Sequence, residues 1–332
     1  MRLSTQYLGL ELKNPLVAGA SPLNGELGNI RRLEDLGAAA VVLPSIFEEQ
    51  VEHEQEVIDR LVTAGIDSYG ESLSYFPAET ACAMAPARYL EFLERAARAV
   101  DIPIIASLNG VTDQGWLDYA RQLEEAGARA IELNSYFIAS DPALDGRAVE
   151  QRYLDVVTSV KRAVKLPVAV KIGPYFSAVA HLAHELHVAG ADGLVLFNRF
   201  YQPDIDLATL GLLRNLELSH AGEIRLPLLW ISVLAGRIKA SLAASTGVES
   251  EDEIVKYLLA GADAVMTTSA LLRHGIGHMG VLLEGLKRWL EARGLDGIDR
   301  IRGKMSQRAV ADPDAMERAN YIRILQGYRP SR

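Results

Sequence analysis

One cysteine, Cys82, occurs in the 332 residues. The chain can form no intrachain disulfide and no multi-cysteine zinc or iron–sulfur site of its own, and a reducing compartment suits it. Long apolar runs are also missing. No stretch approaches the ~18 apolar residues of a membrane span, and Met1-Arg2-Leu3-Ser4-Thr5-Gln6-Tyr7 lacks the apolar centre of a signal peptide. These absences predict a cytoplasmic protein with no membrane partner. Basic charge is in deficit, with 34 Lys and Arg against 43 Asp and Glu, a formal charge of -9 and a pI near 5.4. Nothing draws such a chain towards phosphate backbones, so nucleic acid is excluded as an expected partner. No Gly-x-Gly-x-x-Gly follows the first apolar segment, since Gly19, Gly25 and Gly28 are spaced otherwise, which argues against a Rossmann fold. Ser21, Ser45 and Ser107 have no His and acid that can be placed with them, so a Ser-His-Asp hydrolase is not supported. His181, His184 and His187 drift off any single helical face and read as a solvated helix, and no metal site is predicted.

What is present is an ordinary globular composition, 49% hydrophobic and 23% charged, long enough for one large core. Four helical stretches end in Gly-Ala and run directly into apolar residues, at Gly37-Ala38, Gly127-Ala128, Gly190-Ala191 and Gly261-Ala262. Each reads as a helix stopped by a glycine and followed by a buried strand. Pro103, Pro167 and Pro227 mark three further junctions, because the proline ring opposes helix continuation. Strands are expected near 16–20, 39–44, 103–108, 129–134, 168–172, 192–197, 241–246 and 263–268, with an additional one at 227–232. Eight short, continuously apolar strands separated by helices point to an α/β fold, a (β/α)8 TIM barrel. Two long stretches, 63–88 and 199–225, break the pattern and are expected to overhang the C-terminal rim as lid or wall.

Barrel chemistry is expected where the strands end. The polar residues there are Ser21 next to Ala20, then Ser45, Ser107, Asn109, Asn134, Lys171, Asn198, Thr246-Gly247 and Thr268-Ser269, with no Asp, Glu or His among them. Lys171 closes the apolar run Val168-Ala169-Val170, where an ammonium needs a compensating anion, either a bound group or a neighbouring carboxylate such as Glu132. Asn134 and Asn198 offer two amides from neighbouring strands. Thr246-Gly247 and Thr268-Ser269 each open a helix after the last two strands, the usual phosphate cradle of barrels, and acidic residues 249–253 are expected to face solvent. A lysine, amides, hydroxyls and a cradle with no acid–base pair imply that a cofactor carries the reaction.

These segments resemble the FMN-dependent dihydroorotate dehydrogenase family, and within it the bacterial dihydroorotate dehydrogenase-like proteins. The likeness spans about residues 3–307 and rests on Leu12-Lys13-Asn14-Pro15-Leu16, Ile131-Glu132-Leu133-Asn134, Val170-Lys171-Ile172-Gly173-Pro174, Phe197-Asn198-Arg199, Ser245-Thr246-Gly247-Val248 and Arg302-Gly303-Lys304. It implies oxidation of dihydroorotate to orotate, in pyrimidine biosynthesis, over an FMN lying across the barrel. Ala20, Ser21 and Ser45 would then adjoin the cofactor and Asn134 would meet flavin or substrate. Asn198 would hold substrate, with Asn109 at its strand end a further substrate-binding candidate outside the family match, and Lys171 would stabilise negative charge on the reduced ring. Gly236, Thr246, Gly247, Thr268 and Ser269 match positions that hold the phosphate.

The chain departs from the family at three places. Phe137 stands where relatives carry a Cys or Ser base, Pro44 interrupts the end of strand two, and Ala139 replaces an asparagine. Two other readings therefore stay open: reduction of another pyrimidine or an enone-like compound, with solvent or Tyr136 as proton source, and a flavin-bearing or degenerate barrel acting as an electron-transfer subunit. A barrel over 1–307 and a C-terminal extension over 308–332, packed on the barrel or at an interface, complete the expectation. The expected partners are a small-molecule substrate, an electron-transfer protein and a second copy in a homodimer.

Overall fold

The computed structural model describes residues 1–51, 86–110, 117–199, 202–213, 217–313 and 326–327. Eight parallel strands close into a barrel: β3 (Leu16–Ala18), β4 (Ala40–Phe47), β5 (Ile104–Asn109), β6 (Ala130–Asn134), β7 (Val168–Ile172), β8 (Gly193–Leu196), β11 (Ser241–Ala244) and β12 (Ala264–Thr267). β12 pairs back onto β3, so a (β/α)8 barrel is formed by the eight segments expected from the apolar runs. Helices α1 (Leu27–Asp35), α2 (Pro86–Ala99), α3 (Leu117–Glu125), α4 (Gly146–Ala163), α5 (Val179–Val188), α6 (Arg225–Leu234), α7 (Glu251–Ala260), α8 (Ser269–His274) and α9 (His278–Glu291) follow in chain order.

Alternation along each strand divides the core into two layers. Ile131, Leu133, Val168 and Val170 face outwards into the apolar shell beneath the helices, while Ala130 and Ala169 face into the barrel. The interior is lined by small side chains, among them Ala40, Ala130, Ala169, Ala243 and Ala264. Eight strands lined with alanine leave a hole at the N-terminal end. A hairpin of β1 (Thr5–Tyr7) and β2 (Leu10–Leu12) fills it with Tyr7, Leu8 and Leu12, all buried. Its two-residue turn holds Leu8 at φ +56° and Gly9 at φ +74°, the twist that tight hairpins need. The Leu8 amide donates to Ser241 Oγ at 3.1 Å and Thr5 Oγ1 donates to the Asp263 carbonyl at 2.9 Å. Fully burying each large apolar side chain of this plug contributes roughly 1.5–3 kcal/mol.

Residues 227–232, expected as a strand, lie in α6 instead. Pro227 sits in the first turn, where a missing amide proton costs nothing, and the preceding 3-10 turn Ala221–Ile224 feeds directly into the helix. The 199–225 stretch contains a second hairpin, β9 (Asp204–Asp206) with β10 (Gly211–Leu213). Residues 52–85, which include most of the other expected lid and Cys82, lie outside the described residues, as do 314–325 and 328–332 of the C-terminal extension.

Candidate active site

The strand ends surround a cavity of about 570 Å³, within the usual range of small-molecule sites. Ala20, Lys171, Asn198, Thr246, Gly247, Thr268 and Ser269 all line it, together with Tyr136, Phe197, Arg199 and Ser219. Seven of the residues expected from the sequence are thus brought to one place at the C-terminal rim.

Lys171 lies on the floor, 14% exposed, and its Nζ is 3.4 Å from Glu132 Oε1. Both side chains come from the inward-facing register of adjacent strands, which pair Asn134 with Lys171 one step above. Beside them Asn198 Nδ2 donates to Asn134 Oδ1 at 2.7 Å, so Asn134 reaches the cavity through its neighbour. The same register places Asn109 opposite Asn134 and Ser45 opposite Ser107, whose hydroxyls are 2.7 Å apart. Ser45, Asn109 and Asn134 therefore stand next to the lining rather than in it.

The opposite wall is built from the last two strand ends. Thr246 at φ +88° and Gly247 at φ +71° form a sharp turn after β11. A Cβ on Gly247 would come within 2.8 Å of the His220 carbonyl, so only glycine fits this wall. The Gly247 amide donates to Ser219 Oγ at 3.2 Å, and Ser219 Oγ donates to Ser269 Oγ at 2.9 Å. Arg273 holds this knot from behind by donating to the Ser219 carbonyl and pairing with Glu249. Glu249 and Glu253 therefore do not face solvent as expected. Glu253 is buried, accepting from Ser250 in a capping box that starts α7.

Gly236 does not belong to this group. It follows α6 and precedes β11, on the N-terminal side of the barrel, where its φ of +73° stops the helix and its carbonyl accepts from Arg308. Ser21 stands just before the 3-10 turn Pro22–Gly25 beside Ala20, and its Oγ is buried with no partner among the described residues. Phe137 is not among the lining residues; the Arg152 guanidinium stacks on its ring at 4.3 Å from the centroid. Tyr136 lines the cavity in its place. Tyr153 of α4 fixes this loop by donating to the Ser135 carbonyl at 3.1 Å, and burial pushes its phenol up to about 12, keeping the donor protonated. The histidines of α5 lie outside the barrel, His181 and His184 exposed and His187 against the Ala191 carbonyl.

Tyr136 is expected from the sequence only as a proton source, and Ser219 and Arg199 lie in loops without apolar period, of which only Arg199 falls in a family segment.

Comparison with known proteins agrees with the geometry. Residues 2–290 match the family model described as dihydroorotate dehydrogenase. An Aeropyrum pernix protein named for dihydroorotate dehydrogenase A (fumarate) is 28% identical over 91% of this chain and 96% of its own length. The catalytic subunits of dihydroorotate dehydrogenase B (NAD(+)) from Pyrococcus abyssi and Pyrococcus furiosus are 27% and 26% identical, each over 91% of this chain and 98% of their own. Members of this family are generally flavoproteins. A closed parallel barrel with a lysine-floored cavity at its C-terminal rim and a family match over most of its length place the chain in the dihydroorotate dehydrogenase family, oxidoreductases that act on CH–CH bonds.

Proposed function

We propose that this chain binds FMN and oxidises dihydroorotate to orotate, a step of pyrimidine biosynthesis. The observation that carries the reading is the placement of Lys171 on the floor of one cavity whose wall is the Thr246–Gly247 turn. The residues present suit the cofactor. The Thr246–Gly247 turn, locked against His220 and Ile224, brings backbone to the cavity wall, Ser269 there supplies a hydroxyl for a phosphate, and the buried Ser21 hydroxyl beside Ala20 has no partner among the described residues. FMN when bound supplies a hydride acceptor. Lys171 presents positive charge to the electron-rich ring, and Asn198, oriented by Asn134, offers its amide to a planar substrate. Phe137 has no atom that takes a proton and the Tyr136 phenol is a proton donor, so the proton that leaves with the hydride is assigned to solvent. The same tyrosine would donate in the reverse direction, and Phe137 at the base position favours a second reading as a reductase of another pyrimidine or enone-like compound.

Electrons would leave through a partner protein, as the relatives named catalytic subunits suggest, and the single cysteine leaves any iron–sulfur centre to another chain. We place the protein in the cytoplasm as a homodimer. No described helix is long and apolar enough to cross a membrane.

The purified protein should show flavin absorption in the visible, and anaerobic dihydroorotate should bleach it. A colourless protein that FMN cannot reconstitute ends the cofactor assignment, and a flavin that dihydroorotate leaves oxidised ends the substrate assignment. Under the reductase reading, Tyr136→Phe should slow reoxidation of the reduced flavin by an enone-like compound by ~10²–10⁴ without weakening FMN binding.

A further inference from the structure

Beneath the cavity floor, Glu132 is the most deeply placed ionisable group in contact with the site, 1% exposed. One of its oxygens meets Lys171 at 3.4 Å and the other, Oε2, has no hydrogen-bond partner among the described residues. On the barrel wall its register partners are Ala169, with no polar side-chain atom, and Ser107, whose hydroxyl is bonded to Ser45 Oγ at 2.7 Å. Two buried phenols lie near enough to feel its charge. Tyr7, rising from the N-terminal hairpin, and Tyr89 of α2, which accepts from the Ser107 amide at 3.2 Å, are both pushed upward, chiefly by burial and further by the Glu132 charge. A carboxylate so placed is a poor source of stability, because the loss of hydration is repaid by one ion pair and one oxygen goes unsatisfied. An apolar side chain would fill the same space. What Glu132 does uniquely is hold the Lys171 ammonium from below.

We propose that Glu132 is a positioning residue for Lys171, anchoring its ammonium at the centre of the cavity floor so that the charge faces a bound ring instead of swinging to the solvent rim. The extended lysine side chain otherwise has free rotors and an open cavity above it, and the carboxylate fixes which end of that range it occupies.

The first test needs no cofactor. Limited acetylation with acetic anhydride, followed by peptide mass spectrometry, reads the reactivity of Lys171 against the other seven lysines as internal standards. Lys171 should react slowly in the native protein, and Glu132→Gln should raise its relative rate by about tenfold or more. An unchanged relative rate overturns the proposal. The second test rests on the flavin reading and uses the FMN-reconstituted protein. Lys171→Met should lower the flavin midpoint potential, Glu132→Gln should lower it in the same direction, and the double variant should be no lower than Lys171→Met alone. A potential that rises or stays put in Glu132→Gln overturns the proposal, since a mere counter-charge would raise it when removed. Should Glu132→Gln fail to fold, Glu132→Asp retracts the carboxylate from Nζ and should move both readouts with the same sign. A protein that takes up no FMN defeats the cofactor reading, and the acetylation test then decides the role of Glu132 alone.

Discussion

At Gly247 the backbone conformation and the surrounding space both exclude a side chain. Placing alanine there costs about 1–2 kcal/mol for the left-handed conformation alone, and its Cβ would also press on Ile224 at 2.8 Å. Gly247→Ala should lower Tm and weaken FMN binding by about tenfold or more, read by thermal unfolding and by flavin titration. Unchanged affinity would remove the Thr246–Gly247 turn from the site. Behind the same turn, His278 donates from Nε2 to the Glu249 carbonyl at 2.7 Å, and burial holds its imidazole below the usual 6.5. The unfolded chain takes up the proton first on acidification, so this contribution is complete above about pH 6.5 and is lost as pH falls through the lowered value. Tm should therefore drop over that interval in the native protein and drop less in His278→Gln. Lys171 was legible from the sequence because an ammonium inside an apolar strand is physically conspicuous. Ser219 was not, because a serine in a loop looks like any other until the fold seats it between Gly247 and Ser269.

Among the elements, the eight barrel strands were readable because parallel strands covered on both faces must be apolar throughout, as β5 shows with six buried residues in succession. The N-terminal hairpin escaped because Leu8-Gly9 lacks the polar turn residues that signal such hairpins, the leucine being needed as a plug. Segment 227–232 misled because proline opens a strand and starts a helix equally well, and the deciding partner, the turn before it, is not periodic. Packing of the plug can be probed directly. A Cβ at Gly193 would lie 2.4 Å from Leu8 Cδ2, so Gly193→Ala should cost about 1–3 kcal/mol by overpacking. Adding Leu8→Ala should cost less than the sum of the two changes, as measured by chemical unfolding. Full additivity would mean that the hairpin is not held by this contact.

At the scale of the molecule, an apolar protrusion stands out among the described residues. The β9–β10 hairpin exposes Ile205, Leu207, Leu210 and Leu212, with both Leu207 and Leu210 at 84%. Such a cluster supports the homodimer reading. Leu207→Asp with Leu210→Asp should halve the mass seen by light scattering while circular dichroism stays unchanged, and a native protein that is already monomeric removes the basis for it. Composition and charge gave no access to this feature, since a few leucines in a loop weigh nothing in an average.

The plug at the N-terminal end of the barrel joins the chain's first dozen residues to partners more than two hundred positions later, Leu8 to Ser241 and Thr5 to Asp263. During synthesis the hairpin emerges first and must wait, unseated, until β11 and β12 have left the ribosome. Sequence-distant pairing of this kind is slow, and here it coincides with closure of β12 onto β3. Completion of the interior therefore waits for β12, so nascent chains stalled before residue 264 should remain open to protease at Tyr7 and Leu8.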